Sequence, residues 1–135
     1  MQTTSYQSEN FRLLNKELAG RNEYPKLAMV FFNRAIARAN AKSNYEAIEL
    51  AGKALFYVRF GEPYQVLKVY SLLCWLYYET KNSERAVRVC KQALAHIKLH
   101  DIKSKEKHDY FIALLHYLKP QQTHEMHQTE LKIAV

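Results

Sequence analysis

The sequence predicts an all-α domain of about six helices, which stack as antiparallel pairs into a short superhelix. Only three Gly and three Pro occur among the 135 residues, too few turn residues for a many-stranded β fold. Apolar residues recur at helical spacing along most of the chain. Two alanine-containing segments, 44–55 and 83–94, also repeat the same order of residue types, which indicates two similar helical hairpins.

A first helix is predicted over residues 8–20, after a polar N-terminus at residues 1–7 that we expect to be flexible. Phe11, Leu14 and Leu18 follow one another at the spacing of one helix face. This helix would pack across the start of the array.

Two helices should follow, one from Pro25 to about Ala41 and one from Asn44 to about Val58. Proline suits the first turn of a helix, because its missing N–H would have no partner there in any case. Asparagine suits the N-cap, because its side chain accepts a hydrogen bond from a free backbone N–H group. Gly61 is expected to stop the second of these helices.

The same order of features recurs further along the chain. Pro63 opens a helix that is apolar almost all round between residues 66 and 78, which marks it as the centre of the core. Ser83 is expected to cap the next helix, which should reach about Leu99.

A last helix is predicted over residues 105–118, capped by Ser104 and ended by Pro120. It would cover the exposed edge of the array, since stacked helical repeats need such a cap. The single domain is therefore expected to span residues 8–120. Residues 121–135 are expected to form a polar tail, with a short helix inside it as an open alternative.

The first repeated segment begins Asn44-Tyr45-Glu46-Ala47-Ile48 and closes with Lys53-Ala54-Leu55. It resembles the second helix of a tetratricopeptide repeat, whose familiar form is Asn-Tyr-Glu-Glu-Ala-Ile followed by Lys-Ala-Leu. Four residues ahead of the second segment stand where the family has Trp, Leu, a small residue and Tyr. They are Tyr70, Leu73, Cys74 and Tyr77.

The resemblance departs from the family pattern at three points. One residue is missing before Ala47, and Lys98 stands in the place of the family's closing Pro. Ala47 and Ala86 lie 39 residues apart, where the family period is about 34. Longer helices or a longer connection would account for the difference, and a generic helical bundle is the alternative fold.

The resemblance implies that the first helix of each unit lines a groove that holds a segment of another protein. Matched to the family's pattern, the groove residues would be Val30, Asn33, Ala37 and Asn40 in one helix and Lys68, Ser71, Trp75 and Tyr78 in the next. Trp and Tyr are common anchors of protein interfaces. Core packing is the alternative role for Trp75 and Tyr78, because apolar stripes at helical spacing are usually core. The family's Lys, Asn and Arg set for a C-terminal carboxylate is not reproduced.

The expected function is therefore non-catalytic, that of an adaptor or small chaperone for another protein, and a homodimer is an equally open outcome. Nucleic-acid binding is the alternative, suggested by the formal net charge of +7 and by two pairs of arginines that each share a helix face. The pairs are Arg34 with Arg38 and Arg85 with Arg88. A modest net charge also serves solubility alone, so this alternative ranks second.

Catalysis and cofactor binding have little support in the sequence. It contains no Gly-x-Ser-x-Gly nucleophile motif and no Gly-rich phosphate loop, so we predict neither an enzyme nor a cofactor. His96 with His100, and His124 with His127, could each approach one metal from a helix. A zinc site needs three or four convergent ligands, so no metal is predicted.

The compartment is expected to be the cytoplasm. Cys74 and Cys90 are too few for a disulfide framework and fall at small-residue positions of helices. The N-terminus lacks the basic and apolar regions of a signal peptide. No apolar run approaches the roughly 20 residues that span a bilayer.

Overall fold

The structure, a computed structural model, describes residue 12 and residues 23–134, with side chains described as far as residue 121. All the secondary-structure elements within those residues are α-helices, so the predicted all-α class is confirmed. The helices are α1 (Tyr24–Asn40), α2 (Asn44–Val58), α3 (Pro63–Glu79), α4 (Ser83–Leu99) and α5 (Lys105–Ala134). The predicted helix over residues 8–20 lies outside the described residues except for Arg12, as does the N-terminus at residues 1–7.

The helix starts were predicted well, but two caps lie one residue earlier than expected. Pro25 and Pro63 occupy the first turns of α1 and α3. Ser43 is the N-cap of α2, and Asn82 rather than Ser83 caps α4, its side-chain oxygen accepting from the Arg85 N–H at 3.4 Å. Ser83 instead lies in the first turn of α4 and is buried. The sequence thus predicted that polar residues cap these helices, but it did not predict which residue provides the cap.

Small residues occupy matched and fully buried positions on two helices of the core. Each helix packs against the next along the chain, and six small side chains on α2 and α4 are completely inaccessible to solvent. They are Ala47, Ala51 and Ala54 on α2 and Ala86, Cys90 and Ala93 on α4. Small side chains let neighbouring helices approach closely, so the two repeated segments share the same packing role.

The larger core residues come from every helix, and α3 holds the central place predicted for it. It packs between α2 and α4 and buries six residues, Val66, Leu67, Val69, Leu73, Cys74 and Leu76. Phe111 and Leu118 extend the core from α5, each at most 1% exposed.

Three helices end in the same kind of turn. Lys42, Lys81 and Asp101 follow α1, α3 and α4 with positive φ angles of 64°, 60° and 49°. After each of them, a backbone N–H reaches back five residues to a carbonyl oxygen at the helix end, as in a Schellman motif. Lys42 and Lys81 are 39 residues apart, so this turn repeats with the spacing of Ala47 and Ala86.

Gly61 is required by a close approach rather than by its backbone angles. The helix α2 ends at Val58, and Gly61 does not have a positive φ. A Cβ atom on Gly61 would lie 2.9 Å from Cγ of Pro25. The glycine therefore lets the backbone before α3 approach Pro25 in the first turn of α1.

The prediction that Pro120 ends the last helix is wrong. The helix α5 continues to Ala134 with Pro120 inside it. Proline removes one helical hydrogen bond and crowds the carbonyl of His116, but its fixed φ near −65° is itself helical. The chain can therefore resume the helix after the missing bond. The predicted tail has a helical backbone as far as Ala134, in agreement with the alternative of a helix in this segment.

Candidate functional site

Four aromatic side chains of α3 and α5 meet at the surface, and we call them the aromatic cluster: Trp75, Tyr78, Tyr110 and Tyr117. The rings of Trp75 and Tyr78 are 5.9 Å apart between centroids, and those of Tyr78 and Tyr117 are 5.6 Å apart. Both pairs meet edge to face, which is a favoured geometry for aromatic rings. The cluster is thus a continuous aromatic surface built by two helices.

Hydrogen bonds fix the orientation of these side chains. The Trp75 indole N–H donates to the Tyr110 hydroxyl oxygen at 2.9 Å. The Tyr110 oxygen accepts that bond, so its own proton is available for Ser71, whose hydroxyl oxygen lies 2.7 Å away. The Tyr78 and Tyr117 hydroxyl oxygens are 2.8 Å apart. The polar ends of the cluster therefore satisfy one another.

The same hydrogen bonds set the relation of the two helices. Ser71 contacts Tyr110 and, seven residues further along both helices, Tyr78 contacts Tyr117. Seven residues are about two helical turns. The helices α3 and α5 therefore run side by side in the same direction along this face.

The aromatic cluster remains accessible to solvent although its polar atoms are paired. Trp75 is 41% exposed, Tyr110 38% and Tyr117 48%, and Tyr78 is half-buried. Side chains already held in one conformation lose little further freedom when a partner binds. Exposed Trp and Tyr rings in fixed positions are typical of the residues that dominate interface energies.

Four of the predicted groove residues come together at this face. Ser71, Trp75 and Tyr78 belong to or contact the aromatic cluster, and Lys68 lies beside Ser71 and Tyr110 at a cavity of about 410 Å³. Trp75 is a surface residue and not a core residue. The face is not an open groove, however, because the tyrosines of α5 contact it.

Of the four groove residues predicted on α1, Val30 is half-buried and three are exposed but separate from the aromatic cluster. The three exposed residues are Asn33, Ala37 and Asn40. Ala37 lines a different cavity of about 560 Å³, between α1 and α2, together with Arg34, Arg38 and Glu46 among others. No hydrogen bond or cavity among the described residues joins the three to Trp75.

Tyr110 and Tyr117 were not predicted as site residues. The last helix was predicted to cover the edge of the array, so no side chain on it was considered as a site residue. Both lie 39 residues after a residue that they contact, Ser71 and Tyr78 respectively. Adding the 39-residue spacing of Ala47 and Ala86 to the predicted groove residues Ser71 and Tyr78 would have identified both tyrosines.

The arginines behind the nucleic-acid alternative have local partners. Arg38 lies 3.5 Å from a Glu46 carboxylate oxygen, and Arg88 lies 3.2 Å from Glu84. The guanidinium of Arg85 stacks over the Tyr77 ring at 5.8 Å. Such exposed ion pairs contribute little to stability, but they reduce the positive potential of these faces.

Both thiols are free and buried in the core. The Cys74 Sγ donates to the Ala86 carbonyl oxygen at 3.6 Å, and the Cys90 Sγ donates to the Phe111 carbonyl oxygen at 3.0 Å. Hydrogen bonding to Cys90, together with burial, raises the pKa of the Cys74 thiol well above its usual range. Because the thiolate is the reactive form, a thiol held protonated in the core is a poor nucleophile.

The histidine pair on α4 is engaged in packing. The rings of His96 and His100 are 4.3 Å apart between centroids. The His96 Nε2 lies 2.7 Å from the Pro63 carbonyl oxygen, which can only accept, so Nε2 carries the proton. Among the described residues no three His, Cys, Asp or Glu side chains gather as metal ligands. His124 and His127 lie beyond the described side chains.

Among the described residues, no helix has the length and apolar character needed to span a membrane. Comparison of the chain with protein-family models, with curated proteins and with solved structures finds no match.

Proposed function

We propose that this chain is a non-catalytic protein-interaction module, an adaptor or small chaperone that holds a segment of another protein on the aromatic cluster. The observation that carries the proposal is the pairing of all the polar atoms of four surface aromatic side chains. Excluding water from the ring carbons that these side chains expose would contribute free energy to the binding of a partner.

The architecture we propose for this module is a short tetratricopeptide-like superhelix of antiparallel helix pairs. In it α1 pairs with α2, α3 pairs with α4, and α5 begins a third unit. Three observations support it: the connections between successive packed helices are short, the turns at Lys42 and Lys81 match, and α3 and α5 run in parallel. In this arrangement α1, α3 and α5 would present one common face.

A partner segment would lie across the rings of Trp75 and Tyr117, with Lys68 at one end of the contact. Lys68 is exposed and would interact with acidic side chains of the segment. Asn33, Ala37 and Asn40 stay a predicted extension of this face on α1. The cytoplasmic location and the absence of catalysis and of a cofactor also stay predictions.

Site-specific photo-crosslinking in the source cells tests the proposal. Benzoylphenylalanine replaces Tyr117 in one variant and Tyr45 in a matched control. Tyr45 is also a surface tyrosine, 78% exposed, but lies at the start of α2. We expect position 117 to capture a small set of proteins that position 45 does not, and Trp75→Ala to abolish that capture. Identical captures at both positions would refute the proposal.

Nucleic-acid binding is the alternative that the net charge of +7 favours. Binding of random-sequence RNA or DNA would weaken steeply with salt, because counterions are released on association. Capture through aromatic side chains should respond much less to salt. If a salt-sensitive nucleic-acid complex forms and survives Trp75→Ala, the alternative replaces the proposed function.

A further inference from the structure

A second concave surface lies between α2, the start of α3 and the end of α4, and we call it the α2–α4 groove. Its volume is about 630 Å³, which is within the range of small-molecule and peptide sites. It shares no residue with the aromatic cluster. Its lining includes Gly52, Phe56 and Arg59 from α2 and its end, and His96 and Leu99 from α4.

The rim of the α2–α4 groove is apolar and exposed. Phe56 is 49% exposed and Leu99 79% exposed. Phe60, which is 55% exposed, meets Phe56 edge to face at 6.1 Å between ring centroids. Contiguous apolar side chains around a concavity are typical of interaction sites.

The single charged side chain that lines the groove is a cation without a carboxylate partner among the described residues. The Arg59 guanidinium lies 4.5 Å from the Phe56 ring centroid and 5.4 Å from that of Phe60. Stacking on aromatic rings holds a guanidinium in place while leaving its N–H groups free. No Asp or Glu lines the groove, so Arg59 faces it as an unneutralised charge.

The other polar groups at the groove add no negative charge. The His96 Nε2–H is already committed to the Pro63 carbonyl oxygen, and His100 stacks beside it. The groove therefore combines apolar contact area with one fixed positive charge. The complement of that surface is an apolar side chain next to a carboxylate.

We propose that the α2–α4 groove binds an acidic amphipathic segment of a partner protein. An apolar side chain of the segment packs against Phe56 and Leu99, and an Asp or Glu of the segment pairs with Arg59. Arginine is suited to this because its planar N–H groups match a carboxylate in two parallel hydrogen bonds. The basic net charge of the chain also attracts acidic partners. This site is independent of the aromatic cluster, so the module would have two protein-binding surfaces.

Selection from a displayed library of random peptides of about 12 residues, roughly three helical turns, tests the proposal on the full chain. We expect enriched peptides to carry an apolar residue within one helical turn of an Asp or Glu. The best peptide, synthesised with a fluorescein label, is then the probe for fluorescence anisotropy. We expect Arg59→Glu to weaken its binding about tenfold or more, because attraction becomes repulsion.

Two further variants separate charge from shape. A peptide in which Lys replaces the acidic residue should bind the Arg59→Glu variant and should bind the unsubstituted chain weakly. A Cβ atom on Gly52 would meet nothing within 4 Å, so Gly52→Leu should block the groove without disturbing the core and should also abolish binding. Arg85→Glu, the same charge change at the other end of α4, and Trp75→Ala should leave binding within about twofold. Circular dichroism checks that each variant is folded.

Four outcomes would overturn the inference. Enrichment of no peptide, or of basic peptides only, would exclude an acidic segment as the occupant. Binding that survives both Arg59→Glu and Gly52→Leu but fails in Trp75→Ala would assign the peptide to the aromatic cluster and leave the proposed function standing. A dimer of the chain that Gly52→Leu dissociates would make a second copy the occupant. Loss of all peptide binding in Trp75→Ala and Gly52→Leu alike would show that the two surfaces are not independent.

Discussion

Replacing the lysines in the two matching turns by glycine should stabilise the domain. Lys42 and Lys81 have φ angles of 64° and 60°, in the left-handed region that side chains with a Cβ atom disfavour. Each is exposed. The substitutions Lys42→Gly and Lys81→Gly therefore relieve backbone strain without removing any described side-chain contact.

The size of the effect follows from two opposing terms. The left-handed conformation costs about 1–2 kcal/mol for a residue with a Cβ atom. Glycine loses about 0.5–1 kcal/mol more backbone entropy on folding than other residues do. The free energy of unfolding should therefore rise by about 0.5–1 kcal/mol for each substitution. The two sites are far apart in sequence and share no contact, so the double variant should gain about 1–2 kcal/mol.

Urea unfolding followed by far-ultraviolet circular dichroism measures the change, with an unchanged slope against denaturant as the check on two-state behaviour. Lys91→Gly is the matched control, because Lys91 is exposed inside α4. There the same substitution should lower stability by about 1 kcal/mol. If Lys42→Gly or Lys81→Gly destabilises the domain as much as Lys91→Gly does, the assignment of strain to these turns is wrong.

Three other predictions concern the core, the aromatic cluster and the thiol pair. Phe111→Ala should lower the free energy of unfolding by about 3–5 kcal/mol in urea titrations, since the side chain is 1% exposed; a loss below about 1 kcal/mol would mean that α5 is not docked. Tyr110→Phe should lower the free energy of unfolding by only about 1 kcal/mol, because water can replace the lost hydroxyl at a 38% exposed site. A loss above about 3 kcal/mol would mean that water does not reach the hydrogen bonds of this hydroxyl. The folded chain keeps the Cys74 thiol protonated above its usual pKa of 9.0, so stability should fall as pH rises above that value. Replacing both Cys74 and Cys90 by alanine should reduce this fall in urea titrations at several pH values, because the two thiols titrate as a pair; an unchanged pH dependence would contradict the assignment.

The predictions that were confirmed depend on residue types whose effect on the backbone or the packing is local. Proline at positions 25 and 63 placed two helix starts correctly, because its missing N–H has no helical partner in the first turn in any case. The alanines at matched positions belong to the pattern that predicted two similar helical hairpins, and all of them are buried. Local periodicity therefore predicted the helices and their inner faces.

The errors arose where the outcome depends on distant parts of the chain. Pro120 was predicted to end a helix, but its backbone angles allow the helix to continue beyond it. The helix before Gly61 ends at Val58 as predicted, but the close approach of Gly61 to Pro25, which is 36 residues earlier, could not be predicted locally. The hydrogen-bond partner of Trp75 comes from α5, and no local pattern near Trp75 indicates it. Half of the aromatic cluster could therefore be predicted from α3 alone.

Trp75 is the only tryptophan in the chain, and its indole lies at the surface where we propose that a partner binds. Its intrinsic fluorescence is consequently a label that the protein already carries. A segment that displaced water from the ring would shift the emission to shorter wavelength, whereas occupation of the α2–α4 groove would leave the emission unchanged. Titration of the native chain could thus distinguish which surface a ligand occupies without any chemical modification.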